Sequence, residues 1–226
     1  TFRKFSASGI HGTVHLEHQV LSGSALQFKT MQGEAAMDAR IDVSRRDSVF
    51  MDYDACLVKI DIRQLFHDLE NFGQDVLTDH HVKGKVKADV HFRSAWSNEL
   101  EINPASVRVS CDLRIDNGEL NGFKPILAMS KYLRMADLNN IRFASLQNVI
   151  TISNRKIVIP EMLIKSSALD LNASGTHDFD NNIDYHISLL LSDVLGKKYK
   201  QQQSEFGQIR SEEHTSELQS HHDLVC

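Results

Sequence analysis

Gly33-Glu34-Ala35-Ala36-Met37-Asp38-Ala39-Arg40-Ile41-Asp42-Val43-Ser44 decides the fold. From Ala35 the odd positions are apolar (Ala35, Met37, Ala39, Ile41, Val43). The even positions are small or polar (Ala36, Asp38, Arg40, Asp42, Ser44). Successive side chains of a strand point to opposite faces, so this period of two describes a strand with one face in a core and one in water.

The same period recurs on both sides of it. Upstream, Ile10, Val14 and Leu16 alternate with His11, Thr13, His15 and Glu17, and Leu26 and Phe28 continue the pattern beyond Ser22-Gly23-Ser24, read as a turn. Residues 48–62 form one long strand or two with a bend after the turn Arg45-Arg46-Asp47. Downstream, Val82, Val86, Ala88, Val90 and Phe92 oppose Lys83, Lys85, Lys87, Asp89 and His91. Val107, Val109, Cys111, Leu113 and Ile115 oppose Arg108, Ser110, Asp112, Arg114 and Asp116. Asn117-Gly118 reads as a hairpin turn, and Asn121-Gly122 repeats the signal. Further strands are expected at 141–143, 149–153, 156–164, 169–173 and 183–191, with Asp180-Asn181-Asn182 as the last turn. Pro160 has no N–H for a ladder, so its strand lies at an edge or bulges there.

Two stretches change period. Leu65, Phe66, Leu69 and Phe72 fit one helical face, opened by Asp61 with Gln64 as a capping box and closed by Gly73. Pro125 suits a helix first turn, with Ile126, Leu127, Ser130 and Leu133 on one stripe. The expectation is a mainly β chain of roughly eight to eleven strands with two short helices. Two helices are too few to cover both faces of such a sheet. The sheet is therefore expected to be antiparallel, extended, and curved into an open groove with one apolar face.

Composition is that of a globular protein, 41% hydrophobic and 24% charged. No apolar run reaches the roughly 20 residues of a membrane-spanning helix. Thr1-Phe2-Arg3-Lys4-Phe5 lacks an initiator Met and the form of a signal peptide, so the chain is expected to begin within a longer protein. At the other end, R-S-E-E-H-T-S-E-L-Q-S at 210–220, with Leu224-Val225-Cys226, resembles a translated sequencing adapter. Setting aside 210–226 leaves 24 basic and 26 acidic side chains, which gives no support for nucleic-acid binding. The remaining cysteines, Cys56 and Cys111, read as small buried side chains, and whether they pair is open.

The candidate chemical motifs are weak. His11 and His15 share a strand face but stand about 13 Å apart, too far for one metal ion, and His18 points the other way. Ser174, His177 and Asp178 lack a nucleophile elbow, as do Ser166 and Ser167, so no catalytic residue is assigned. No cofactor or metal is expected. Lys83, Lys85 and Lys87 form a basic stripe able to meet lipid head groups, or simply a solvated face guarding an edge.

The C-terminal part carries a resemblance. D-L-R-I-D-N-G-E-L-N-G-F-K-P-I-L from Asp112, I-x-F-x-x-L-x-N-x-I-x-I-x-N from Ile141, I-P-E-M-L-I-K-S-S-A-L from Ile159 and S-G-T-H-D-F-D-N-N-I-D-Y-H-I from Ser174 together resemble the C-terminal module of AsmA-like proteins. N-F-G-Q at 71–74 and H-V-K-G-K-V at 81–86 are similar to the preceding segment of that family, so the likeness spans most of 1–198. It implies a non-enzymatic periplasmic β-groove module, tethered to the inner membrane by an N-terminal anchor that this chain lacks. It also implies a part in outer-membrane biogenesis and lipid transport between membranes, with phospholipid and envelope proteins as partners. Residues 199–209 are then a polar tail.

On that reading Val107, Val109, Leu113, Ile115, Ile157, Ile159, Ile187, Leu189 and Leu191 line the lipid groove, and Lys83, Lys85 and Lys87 lie near head groups. Ser166, Ser167, Gly175, His177, Asp184 and Tyr185 serve turns and pairing. The competing expectation is a scaffolding β-domain with a closed, lipid-free core. Glycan binding ranks below both, because one Trp and four Tyr offer few stacking platforms.

Overall fold

A computed structural model of the 226-residue chain describes residues 4–127, 139–167 and 170–189. They form one antiparallel sheet of ten strands in which each strand pairs with its sequence neighbours. The strands are β1 (Ser8–Glu17), β2 (Val20–Thr30), β3 (Gly33–Arg45), β4 (Ser48–Asp61), β5 (Val82–Trp96), β6 (Arg108–Asn121), β7 (Asn140–Ser153), β8 (Lys156–Ile164), β9 (Leu171–Asp178) and β10 (Ile183–Leu189). The order runs from β1 to β10 without closing into a barrel, so the expectation of a mainly β antiparallel sheet holds. The described residues up to Ser188 fall in one compact unit. The expected divisions at 198 and 209, and the adapter-like segment, lie outside the described residues.

Helix is scarce. In α1 (Ile62–Asp68) the Asp61 carboxylate accepts from the Gln64 backbone N–H at 3.0 Å. Gln64 Nε2 donates forward to Asp68 Oδ1 at 2.6 Å, so only the Asp61 half of the expected capping box forms. The second helix is described only as α2 (Lys124–Leu127), and the rest of its expected stripe lies outside the described residues. After α1 the chain makes a left-handed turn, with φ of 52°, 53°, 56° and 73° at Glu70, Asn71, Phe72 and Gly73. The Asn71 side-chain oxygen accepts from the Asp79 backbone N–H at 2.9 Å, and the Phe72 ring meets Phe66 edge-on at 5.2 Å.

Two expected turns are strand interior. Ser22-Gly23-Ser24 lies within β2, and the β1–β2 turn is His18-Gln19, with φ of 48° and 63°. Met31-Gln32 (47°, 60°) and Asn154-Arg155 (51°, 61°) join their hairpins in the same way. Positive φ at both central residues matches the twist of the flanking strands, and here non-glycine residues adopt it. Asn117-Gly118 also lies inside a strand. Asn117, at φ 51°, marks a bulge in β6 opposite the β5 register shift between Lys83 and Lys85.

The core sits where α1 covers one end of the sheet. Ile60, with no exposed surface, packs with Met31, Ile62, Val82, Val86 and Ala88, flanked by Leu65, Phe66, Leu69 and Leu120. Lys59, at φ 57°, forms the β4 bulge that sets Ile60 on this face.

Candidate binding face of the sheet

Strand register joins the apolar positions into rows. Phe28, Ala35, Leu57, Ala88, Leu113 and Asn148 are successive cross-strand partners from β2 to β7. A second row runs Ile41, Met51, Ser94, and a third Ala39, Tyr53, Phe92, Val109, Ile152, Ile157, His177. Bulges at Ala25 in β2, Lys59 in β4 and Asn117 in β6 each shift the alternation by one residue and keep the apolar side chains on one face. Along these rows the side chains are mostly half-buried, and the Tyr53 and Phe92 rings stack at 4.7 Å. Burial pushes the Tyr53 hydroxyl above its ordinary pKa.

Of the expected groove residues, Val109, Ile157 and Ile159 are half-buried positions of this face, and Leu113 and Ile115 pack against the core around Ile60. Val107 is buried just before β6, outside the cluster around Ile60. Ile187 is half-buried in β10. The side chain of Leu189, and Leu191 altogether, lie outside the described residues. Met51, Tyr53, Ile150 and Ile152 belong to the face and were not singled out, although their period-two spacing was readable.

The opposite face is charged and largely self-neutralised. Lys83 pairs with Glu119 at 2.9 Å, Lys85 with Asp61 at 3.3 Å, and Arg93 with Asp52 at 2.8 Å. The Lys83 ammonium and the Arg142 guanidinium hold the Glu119 carboxyl below the usual range. The basic stripe thus stands on the side away from the apolar rows, with two of its three lysines in ion pairs.

Cys56 and Cys111 are free and sit on opposite faces. Cys56 is the β-partner of Asp89, whereas Cys111 is the partner of Val90. Burial, with the nearby Asp112 and Asp89 charges, pushes the Cys111 thiol up to about 11.

The polar clusters resolve into structural contacts. His11 meets Gln27 Oε1 at 3.2 Å, while His15 and His18 both face Glu17. His177 is buried on the apolar face between Asn181 Oδ1 at 3.2 Å and the Tyr185 hydroxyl at 3.4 Å. The pleat of β9 sends Ser174 and Asp178 to the other side, so the three do not converge.

Asp178 instead ties the β9–β10 turn. Its carboxylate accepts from the backbone N–H groups of Asp180 and Asn182 at 2.9 Å and from Asn182 Nδ2 at 2.8 Å. The Asn182 donors hold this carboxyl below its ordinary pKa. A depressed folded-state value gives stability that is present above the unfolded value of about 4 and lost as pH falls through the folded one. Asp178→Asn is therefore expected to lower the melting temperature at neutral pH and to flatten its decline on acidification. Thermal melts of both proteins between roughly pH 2 and 7 check this.

Strands β7 and β8 pair over only three residues, from Thr151↔Val158 to Ser153↔Lys156. An isolated bridge beyond the end of β8, Phe143↔Ser166, keeps the same register. In the interval Asn148 Nδ2 donates to the Pro160 carbonyl at 3.1 Å. Pro160 also marks the β8–β9 register shift between Ile159 and Met162, as its missing N–H led one to expect.

Among the described residues no helix is long and apolar enough to cross a membrane, and no group of three His, Cys, Asp or Glu side chains could hold a metal ion. Comparison of the chain with protein-family models, with curated proteins and with solved structures finds no match.

Proposed function

We propose that the apolar face of the sheet carries lipid acyl chains, and that the chain is a non-enzymatic module of an AsmA-like envelope protein. In this reading it works in the periplasm, tethered to the inner membrane in the full-length protein, and moves phospholipid in outer-membrane biogenesis. The observation that carries the reading is the continuity of the apolar rows across the sheet, against the small cover that α1 supplies at one end. A sheet in an ordinary two-layer domain is covered by a second layer over most of its apolar face. An acyl chain laid along such a face gains about 0.8 kcal/mol per buried CH₂ group, which suits a sliding ligand with no fixed polar anchor.

Photo-reactive side chains test the proposal. Placed at Val109, Ile152 and Ile157 on the apolar face, they are expected to give phospholipid adducts in cells. Placed at Ser110 and Arg108 on the charged face, they are expected to give none. Adducts only to protein at all five positions, together with a lipid-free native mass spectrum, would favour the closed scaffolding domain and end the lipid reading.

A further inference from the structure

A cavity of about 600 Å³ lies between the segment that leads into β1, the β2–β3 hairpin and the β4 bulge. Its polar lining includes Ser6, Ser8, Lys29, Thr30, Glu34 and Lys59. The wall formed by the leading segment is fixed, because Thr30 Oγ1 donates to the Ser6 carbonyl at 2.7 Å and Thr30 is buried. The bulge fixes the other wall, since Lys59 takes its positive φ with buried Ile60 beside it.

Like Lys87 and Lys156 elsewhere on the sheet, the charged groups of this cavity carry no ion pair among the described residues. The described lysines with carboxylate partners are Lys83 and Lys85. Lys29, Lys59 and Glu34 are in no ion pair among the described residues, although Lys29 and Glu34 are cross-strand partners. Two ammonium groups and two serine hydroxyls suit the oxygens of a phosphate. The Glu34 carboxylate would repel a simple anion, yet it is matched by a ligand that also carries a cation.

We propose that this cavity binds an aminoalkyl phosphate, with the phosphate between Lys29 and Lys59 and the ammonium on Glu34. The chemistry is the same for a free phosphoamine and for the head group of an aminophospholipid. The proposal does not depend on lipid lying along the apolar face, because the cavity is lined by other residues.

The test is an NMR titration of the isotope-labelled full chain with O-phosphoethanolamine, with inorganic phosphate, and with micelles of a short-chain phosphatidylethanolamine. Saturable shifts of the Gln32, Gly33 and Lys59 amides are expected with an aminoalkyl phosphate. Binding of inorganic phosphate is expected to be at least roughly tenfold weaker, the scale of one charge-assisted contact. Lys29→Gln combined with Lys59→Gln should abolish the shifts, and Glu34→Gln should erase the preference over inorganic phosphate. Saturation by the free compound identifies a soluble ligand, and saturation by the micelle alone identifies a lipid-borne one. The proposal is overturned if neither gives saturable shifts at these amides, or if the shifts persist in the folded double-lysine variant. Failure of the photo-crosslinking at Val109, Ile152 and Ile157 would leave this result unchanged, so the two readings fail separately.

Discussion

Ile60→Ala is expected to lower the unfolding free energy by about 3–4 kcal/mol, at the upper-middle of what buried isoleucine truncations cost. Ile60 has no exposed surface and packs among Met31, Ile62, Val82, Val86 and Ala88, where strands from both sides of α1 meet. The loss combines the transfer free energy of the removed carbons with a cavity that two rigid strands and a capped helix cannot close. Urea denaturation should show a lower midpoint at an unchanged slope, the sign of lost stability without a change in the surface exposed. Leu21→Ala, on the same face of the sheet but exposed, is the control and should move the midpoint little.

Gly33→Ala is expected to destabilise by about 2–3 kcal/mol through the opposite fault, overpacking. A Cβ at Gly33 would stand 2.6 Å from the Val58 carbonyl oxygen, 2.7 Å from the Ile60 nitrogen and 2.7 Å from the Lys59 carbonyl carbon. All three are backbone atoms of the β4 bulge, so no side-chain rotation relieves the contact. Gly122 is the useful contrast. A Cβ there meets nothing within 4 Å, and its φ of 58° leaves only the conformational penalty of about 1 kcal/mol for alanine. The expected order in urea midpoint is therefore Gly33→Ala well below Gly122→Ala, with Gly122→Ala close to the parent. Equal effects would mean that the bulge is not held against β3 as described.

Much of the architecture was legible because period two is a direct imprint of the pleat. The rows through Ala35–Val43, Val82–Phe92 and Val109–Ile115 were readable as one face from alternation alone. Reading failed where the alternation slips. Glycine at Gly23 and Gly118 looked like punctuation, but each admits close approach inside a strand. A Cβ at Gly23 would stand 2.5 Å from a Leu26 methyl, and one at Gly118 would enter the Phe143 ring. The true turns are built from His18-Gln19, Met31-Gln32 and Asn154-Arg155. Of these residues only His18 and Asn154 are of types enriched at positive φ, and no glycine marks any of the three pairs. Their conformation is imposed by strand pairing on both sides. The candidate face was partly readable for the same reason: its residues follow from alternation, but which of them stay uncovered depends on where α1 lies. The cavity at Lys29, Glu34 and Lys59 was not readable, because its members come from separate strands and a bulge that no local pattern announces.

The left-handed turn at Glu70–Gly73 has a consequence for how the molecule comes apart. Three of its four residues carry side chains in a mirror-image helical conformation, which costs Glu70 and Phe72 about 1 kcal/mol or more each and Asn71 less. Glycine would remove that strain, but at Asn71 and Phe72 it would also remove the hydrogen bond to Asp79 and the edge-on contact with Phe66. The turn is thus a wound spring latched by two side chains, and it is attached to α1, which covers the core. When the latch slips, relaxation of the backbone favours lifting α1, so the α1 amides are expected to exchange with solvent faster than those of β4 and β5, which native-state hydrogen exchange checks.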